Sequence, residues 1–176
     1  SLTTAGLATL NADANAAGGG DLAVASGATI DTAGNALEVT ANDLDLQGGL
    51  LAGSILVTDS DGAGIGLGGT ATAGGLNIDG AELQRMTTSA LELATAGSIT
   101  VDGISAANSQ NADAVTLVSG GTTSFDNNPS AFDSLTVLAD NGITVNQDLS
   151  SVVGDIALDG DANDAAAGID SIAFAG

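Results

Sequence analysis

The segment richest in potential chemistry is DGDANDAAAGID, residues 159–170. It sets Asp159, Asp161, Asn163, Asp164 and Asp170 at positions 1, 3, 5, 6 and 12 of a twelve-residue loop. Ca²⁺ is a hard cation that collects several oxygen ligands, and carboxylates and amides at this spacing supply them. Asp164 stands where such loops carry glycine, and Asp170 is shorter than their closing glutamate. The expectation is a Ca²⁺ site formed by these five residues. The same residue types equally suit solvated corners, where a short carboxylate bonds its own backbone. Asp59 and Asp61, in DSDG, form a smaller cluster with the same two readings.

Other chemistries are narrowed by what is missing. The chain has no His and no Cys, which removes nucleophilic triads, thiolate metal sites, disulfides and the usual transition-metal ligand. GIGLGG, residues 64–69, superficially matches a phosphate-cradling loop, but neither a Lys nor a clear helix follows it, so corner glycines are expected. Arg85 is the single cation against 22 acidic residues, for a formal net charge of −21. Glu82, three residues earlier, is expected to pair with Arg85 and pin the GAELQRM loop. Such a polyanion offers nucleic acid no basic patch, and an anionic membrane surface repels it. No apolar run approaches the length of a membrane span. Enzymatically, the competing class is a carbohydrate-binding or acidic-polysaccharide-cleaving protein, because two carboxylates suffice for glycoside hydrolysis. A chain with three Phe and no Trp or Tyr has few aromatic platforms for sugars, so the chain is expected to be non-enzymatic.

The elements that carry these residues are short strands. Apolar-x-apolar pairs recur at Leu22/Val24, Leu37/Val39, Leu44/Leu46, Ile55/Val57, Ile65/Leu67, Leu76/Ile78, Leu91/Leu93, Ile99/Val101, Val115/Leu117, Leu135/Val137, Ile143/Val145, Ile156/Leu158 and Ile172/Phe174. Alternation over such brief runs gives strands with one buried face. The best helical candidate, residues 81–86, is short. Several pairs come as doublets, as in ALELATAGSITVDG (residues 90–103), so an antiparallel meander competes with any longer-range scheme.

A longer register favours a coil. Leu22, Leu44, Ile65, Leu91, Val115, Leu135 and Ile156 follow one another at 22, 21, 26, 24, 20 and 21 residues. Three strands and three corners fill about 22 residues, so the fold class is expected to be all-β: a parallel β-helix, or β-solenoid, of about eight rungs stacked about 4.8 Å apart. In that scheme the seven residues form one inward stack. NSQNAD (108–113) and DNNPS (126–130) are expected to be loops. Residues 10–25 (LNADANAAGGGDLAVA) are echoed by residues 158–175 (LDGDANDAAAGIDSIAFA). The whole chain, 1–176, therefore reads as a single segment of a larger repetitive protein, with one module over 10–157 and a second beginning at 158–176. Beginning at Ser1 in mid-pattern, it is expected to be an internal fragment or a processed product.

Residues 61–105, DGAGIGLGGTATAGGLNIDGAELQRMTTSALELATAGSITVDGIS, resemble segments of very large bacterial exoproteins related to filamentous haemagglutinin. GIGLGG, ELQRM and LELATAGSITVDG together carry the resemblance, which extends over most of the chain. It implies a right-handed parallel β-helix, export to the cell surface or medium, and a role in adhesion, biofilm or scaffolding. The expected partners are copies of the chain or neighbouring solenoid modules, joined end to end or side by side, and cell-surface glycans. Neither nucleic acid binding nor membrane insertion is expected.

Overall fold

The computed structural model describes residues 1–15, 19–69, 75–165 and 171–175. It is an all-β protein, and each strand pairing among the described residues is parallel. The longest sheet has seven strands in the order Ala8–Asn11, Ala36–Ala41, Ser54–Asp59, Ala90–Thr95, Val115–Ser119, Leu135–Ala139 and Ile156–Asp159. A six-stranded sheet runs Leu76–Ile78, Ile65–Gly68, Ile99–Asp102, Thr123–Phe125, Ile143–Val145 and Ile172–Phe174. Leu2–Thr3, Thr29–Asp31, Gly49–Leu51 and Met86–Thr87 make a third sheet. Two strand pairs complete the set: Asp21–Val24 with Asp43–Leu46, and Ser130–Phe132 with Leu149–Ser151.

Strands consecutive in sequence fall in different sheets, with one exception: Ile65–Gly68 and Leu76–Ile78 are neighbours in one sheet. The meander is thereby excluded. Leu91 pairs with Ile55 and Val115, while Ile99 pairs with Ile65 and Thr123, so the two halves of that doublet never pair with each other. Period-two alternation sends every second residue inward, and parallel register stacks like on like. One column runs Leu37, Ile55, Leu91, Val115 and Leu135; a second runs Val39, Val57, Leu93, Leu117 and Val137. All ten are buried, and full burial of such a side chain contributes about 1.5–3 kcal/mol.

The single stack expected from the 22-residue spacing does not form. Leu22 and Leu44 pair in a separate two-stranded sheet, and Ile65 lies in the six-stranded sheet beside Ile99. Only Leu91, Val115, Leu135 and Ile156 share a column. The two pairs of a doublet are chemically alike yet occupy adjacent faces, so spacing alone cannot assign them. The step along the seven-stranded sheet also varies, from 36 residues between Ser54 and Ala90 to 18 between Ala36 and Ser54.

Chain reversals are made at corners that exclude side chains. Gly64 has φ +122°, and a Cβ there would meet the Ser98 carbonyl oxygen at 2.6 Å. A Cβ at Gly68, φ +99°, would come closer still to the Asp102 carbonyl oxygen. The helical candidate materialises as Gly80–Leu83, while Met86–Thr87 is a strand. Part of the expected NSQNAD loop is helical too: Ala106–Ser109 forms a turn of helix on a reciprocal Ser105–Asn108 cap.

Candidate functional site

The 159–164 corner follows directly from the last strand of the seven-stranded sheet. The Asp159 carboxylate accepts from Asp161 N at 3.1 Å, and Asp164 N donates to Asp161 O at 3.0 Å. Asn163 Oδ1 accepts from Ala165 N at 2.9 Å, while Asp164 sits at φ +52°. The bonds to Asp159 and Asn163 are local Asx-type bonds. Four of the five proposed ligands thus share one turn; Asp170 lies outside the described residues. Among the described residues, no three acidic side chains converge as a metal cage.

Asp59 and Asp61 separate in role. The Asp61 carboxylate closes its own turn on Ala63 N at 2.9 Å. Asp59 points into the stack and is 5% exposed. Its Oδ2 accepts from Gly64 N at 3.0 Å and from Thr95 Oγ1 at 2.7 Å. The other oxygen, Oδ1, is buried without a hydrogen-bond partner among the described residues. Thr95 is followed in register by Ser119, which shares a 2.9 Å hydrogen bond with Thr123. A polar seam therefore runs inside one corner of an otherwise apolar stack. The glycine-rich run 64–69 contributes the strand Ile65–Gly68, and the Gly64 N–H is committed to a carboxylate, the opposite of a phosphate cradle.

Arg85 and Glu82 meet the same residue, Leu46, rather than each other. Arg85 Nη1 donates to the Leu46 carbonyl at 2.8 Å, and Glu82 Oε1 accepts from Leu46 N at 3.0 Å. Glu82 Oε2 also accepts from Asp79 N, completing a capping box over Gly80–Leu83. On the same flank, Asn77 N donates to the Asp43 carboxylate at 2.9 Å. Leu76–Ile78 packs beside Asp43–Leu46 without a backbone ladder between them. Side chains of Asp43, Glu82 and Arg85 take the place of the missing ladder bonds, which corrects the expected Glu82–Arg85 ion pair. Burial pushes the Glu82 carboxyl above its ordinary value; the two N–H bonds oppose this, and Asp79 and Asp43 add to it.

A second corner system had no role in the sequence reading. Asn127 and Asn128 donate to Asp102, at 3.2 and 2.8 Å, and Asn146 donates to Asp126. Asn-to-Asp bonds spanning 20 to 26 residues of sequence thus hold two carboxylates. Its trace in the sequence is Asp and Asn recurring at matched positions after VD, FDNN and VNQ.

On the outward face of the seven-stranded sheet, Glu38, Leu56 and Glu92 occupy one column. They line a shallow depression of about 190 Å³ together with Ser54 and Thr116. Arg85 is not part of its lining. No described helix is long and apolar enough to cross a membrane. No known protein family, curated protein or solved structure matches this chain.

Proposed function

We propose that the chain is a non-enzymatic structural or adhesive module of a secreted bacterial surface fibre, wound as a right-handed parallel β-helix with three strands per turn. The observation that supports this best is the continuity of the parallel ladders, with buried columns repeated from strand to strand. In such a coil each turn is sealed only by its neighbours, so length grows without change of cross-section, as a fibre or spacer requires. Right-handed winding is the hand favoured by crossovers between parallel strands. The seven strands of the longest sheet count seven turns, about 34 Å at about 4.8 Å each. Resemblance to exoproteins related to filamentous haemagglutinin supports export and surface display. The net charge of −21 keeps such a rod dispersed. In this reading Ca²⁺, held by Asp159, Asp161, Asn163, Asp164 and Asp170, is its counter-ion, and neighbouring modules and cell-surface glycans are its partners.

Small-angle scattering of one copy and of a tandem fusion tests the reading. The expected result is a doubled length at constant cross-section, together with no release of reducing ends from neutral or acidic polysaccharides. A tandem that thickens instead of lengthening would overturn it.

The Glu38–Leu56–Glu92 depression favours one second reading, a carbohydrate site. Two strand spacings put these glutamate backbones about 9.6 Å apart, near the carboxyl separation of inverting glycosidases. Hydrolysis of a neutral glycan that disappears in both Glu38→Gln and Glu92→Gln would establish this reading.

A further inference from the structure

We infer that the step beside Met86–Thr87, where the third sheet gives way to a helical turn, is a binding site for an uncharged hexose unit of a glycan. The inference rests on the adhesive reading above and deepens it, naming the surface and the class of sugar.

The third sheet stops at Met86–Thr87. The chain returns to this flank as the helical turn Ala106–Ser109 and the segment 110–113, which meets the sheet's end through an isolated bridge between Ala112 and Thr88. A groove of about 400 Å³ lies at this step, where Leu51 and Thr87 of the sheet meet Gln110, Asn111 and Asp113. That volume falls within the range of about 300–1,000 Å³ typical of small-molecule sites. The Glu38–Leu56–Glu92 depression, at about 190 Å³, falls below it. Strands of earlier and later turns lie on both sides of the step, so the groove is formed within the stack.

The backbone around the groove is fixed. Thr88 N donates to Asn111 O at 2.9 Å, and Asp113 N donates to Thr88 O at 3.1 Å. Ser89 Oγ and Thr88 Oγ1 both donate to Gly53 O, at 2.6 and 3.2 Å. Asn111 Nδ2 donates to Gln84 O at 2.6 Å, which leaves its Oδ1 as an acceptor. The Thr87 hydroxyl, the Gln110 amide and the Asp113 carboxylate have no hydrogen-bond partner among the described residues. At other corners Asp43, Asp59, Asp61 and Asp102 are each engaged by an N–H donor. Here the polar groups are positioned but uncommitted.

Leu51 adds an apolar surface to them. The alternation that buries Leu50 turns Leu51 outward, 41% exposed, between the polar ladder partners Asp31 and Thr87. An apolar side chain beside a hydroxyl, an amide and a carboxylate suits a pyranose ring. Its C–H face packs on methyl groups, and its hydroxyls both donate to the carboxylate and exchange bonds with the amide. No cation lines the groove, and Asp113 together with the net charge of −21 repels uronic or sulfated sugars. The occupant is therefore uncharged.

An NMR titration of the isotope-labelled chain with lactose, maltose and cellobiose, and with trigalacturonate as the acidic probe, tests the inference. At least one of the neutral disaccharides is expected to shift the amides of residues 51–53, 87–89 and 110–113, and trigalacturonate to shift none. Gln110 and Asp113 are exposed, so Gln110→Ala and Asp113→Ala are expected to keep the parent spectrum outside the groove. Each is expected to weaken binding at least about tenfold, while Glu38→Gln leaves it unchanged. Absence of shifts with all three neutral sugars, shifts centred on Glu38 and Glu92, equal binding of trigalacturonate, or unaltered affinity in Asp113→Ala would each overturn the inference. The tandem scattering separates this from failure of the fibre reading. A tandem that doubles in length while no sugar shifts these amides fails only the groove, and a tandem that thickens fails the fibre reading whatever the sugars do.

Discussion

Phe125 and Phe174 occupy one inward column, separated by Val145. They share a chemistry and differ in cover: Phe125 is 1% exposed between Val101 and Val145, and Phe174 is 73% exposed at the edge. If burial between neighbouring strands holds the fold together, equal truncations must have unequal costs. Phe125→Ala removes a buried ring and leaves a cavity between two sealed layers, a cost of about 3–5 kcal/mol. Phe174→Ala removes mostly hydrated surface, and a cost below about 0.5 kcal/mol is expected. At about 2–4 °C per kcal/mol for a chain of this size, Phe125→Ala should lower Tm by about 6–20 °C. Phe174→Ala should leave it nearly unchanged. Urea unfolding followed by far-UV circular dichroism, at concentrations low enough to keep the chain monomeric, measures both. Equal losses would refute the reasoning, because they would mean that ladder position does not govern burial.

Thr95→Val removes the buried hydroxyl that donates to Asp59 and accepts from Gly97 N. The expected cost is about 1.5–3 kcal/mol, with Thr95→Ser retaining most of the stability in the same urea assay. The raised Glu82 carboxyl favours the folded state while protonated, so its contribution is present below the ordinary glutamate value. That contribution fades as pH rises through the folded value. A pH series of unfolding midpoints should therefore fall less steeply over that window in Glu82→Gln than in the parent. Identical slopes would exclude Glu82 as the source. Ca²⁺ should raise Tm beyond NaCl of equal ionic strength, by the equivalent of about 2.7 kcal/mol when free Ca²⁺ is a hundred times Kd. Equal effects of the two salts would reduce the 159–170 loop to a solvated corner.

Strand existence was legible because period-two alternation is a local signal: Leu91/Leu93 and Ile99/Val101 lie on the strands where the pattern puts them. Parallel pairing was also legible, through a spacing too long for hairpins. The column assignment was not, because Leu44 and Ile65 look alike in sequence, yet the first pairs with Leu22 and the second with Ile99. The insertion holding Leu76–Ile78 and Gly80–Leu83 shifts the apparent spacing across that boundary. For the corner chemistry, an Asp that bonds its own turn, as Asp61 does, is written in its next two residues. Asp59 differs because Thr95, 36 residues away, reaches it only through the ladder. The Arg85 contact was missed for the same reason: its acceptor, Leu46 O, is 39 residues distant.

The central claim, that strands from successive turns lie side by side in parallel register, can be tested with cysteines in a chain that has none. Glu92 and Thr116 are direct ladder partners on the outward face, at a separation of about 4.8 Å that suits a disulfide. Glu92 and Thr100 would be drawn together only by a hairpin between Ala90–Thr95 and Ile99–Asp102. Under mild oxidation the account expects rapid, complete closure in the Glu92→Cys/Thr116→Cys variant and free thiols in Glu92→Cys/Thr100→Cys. Closure of the second pair with the first left open would contradict it.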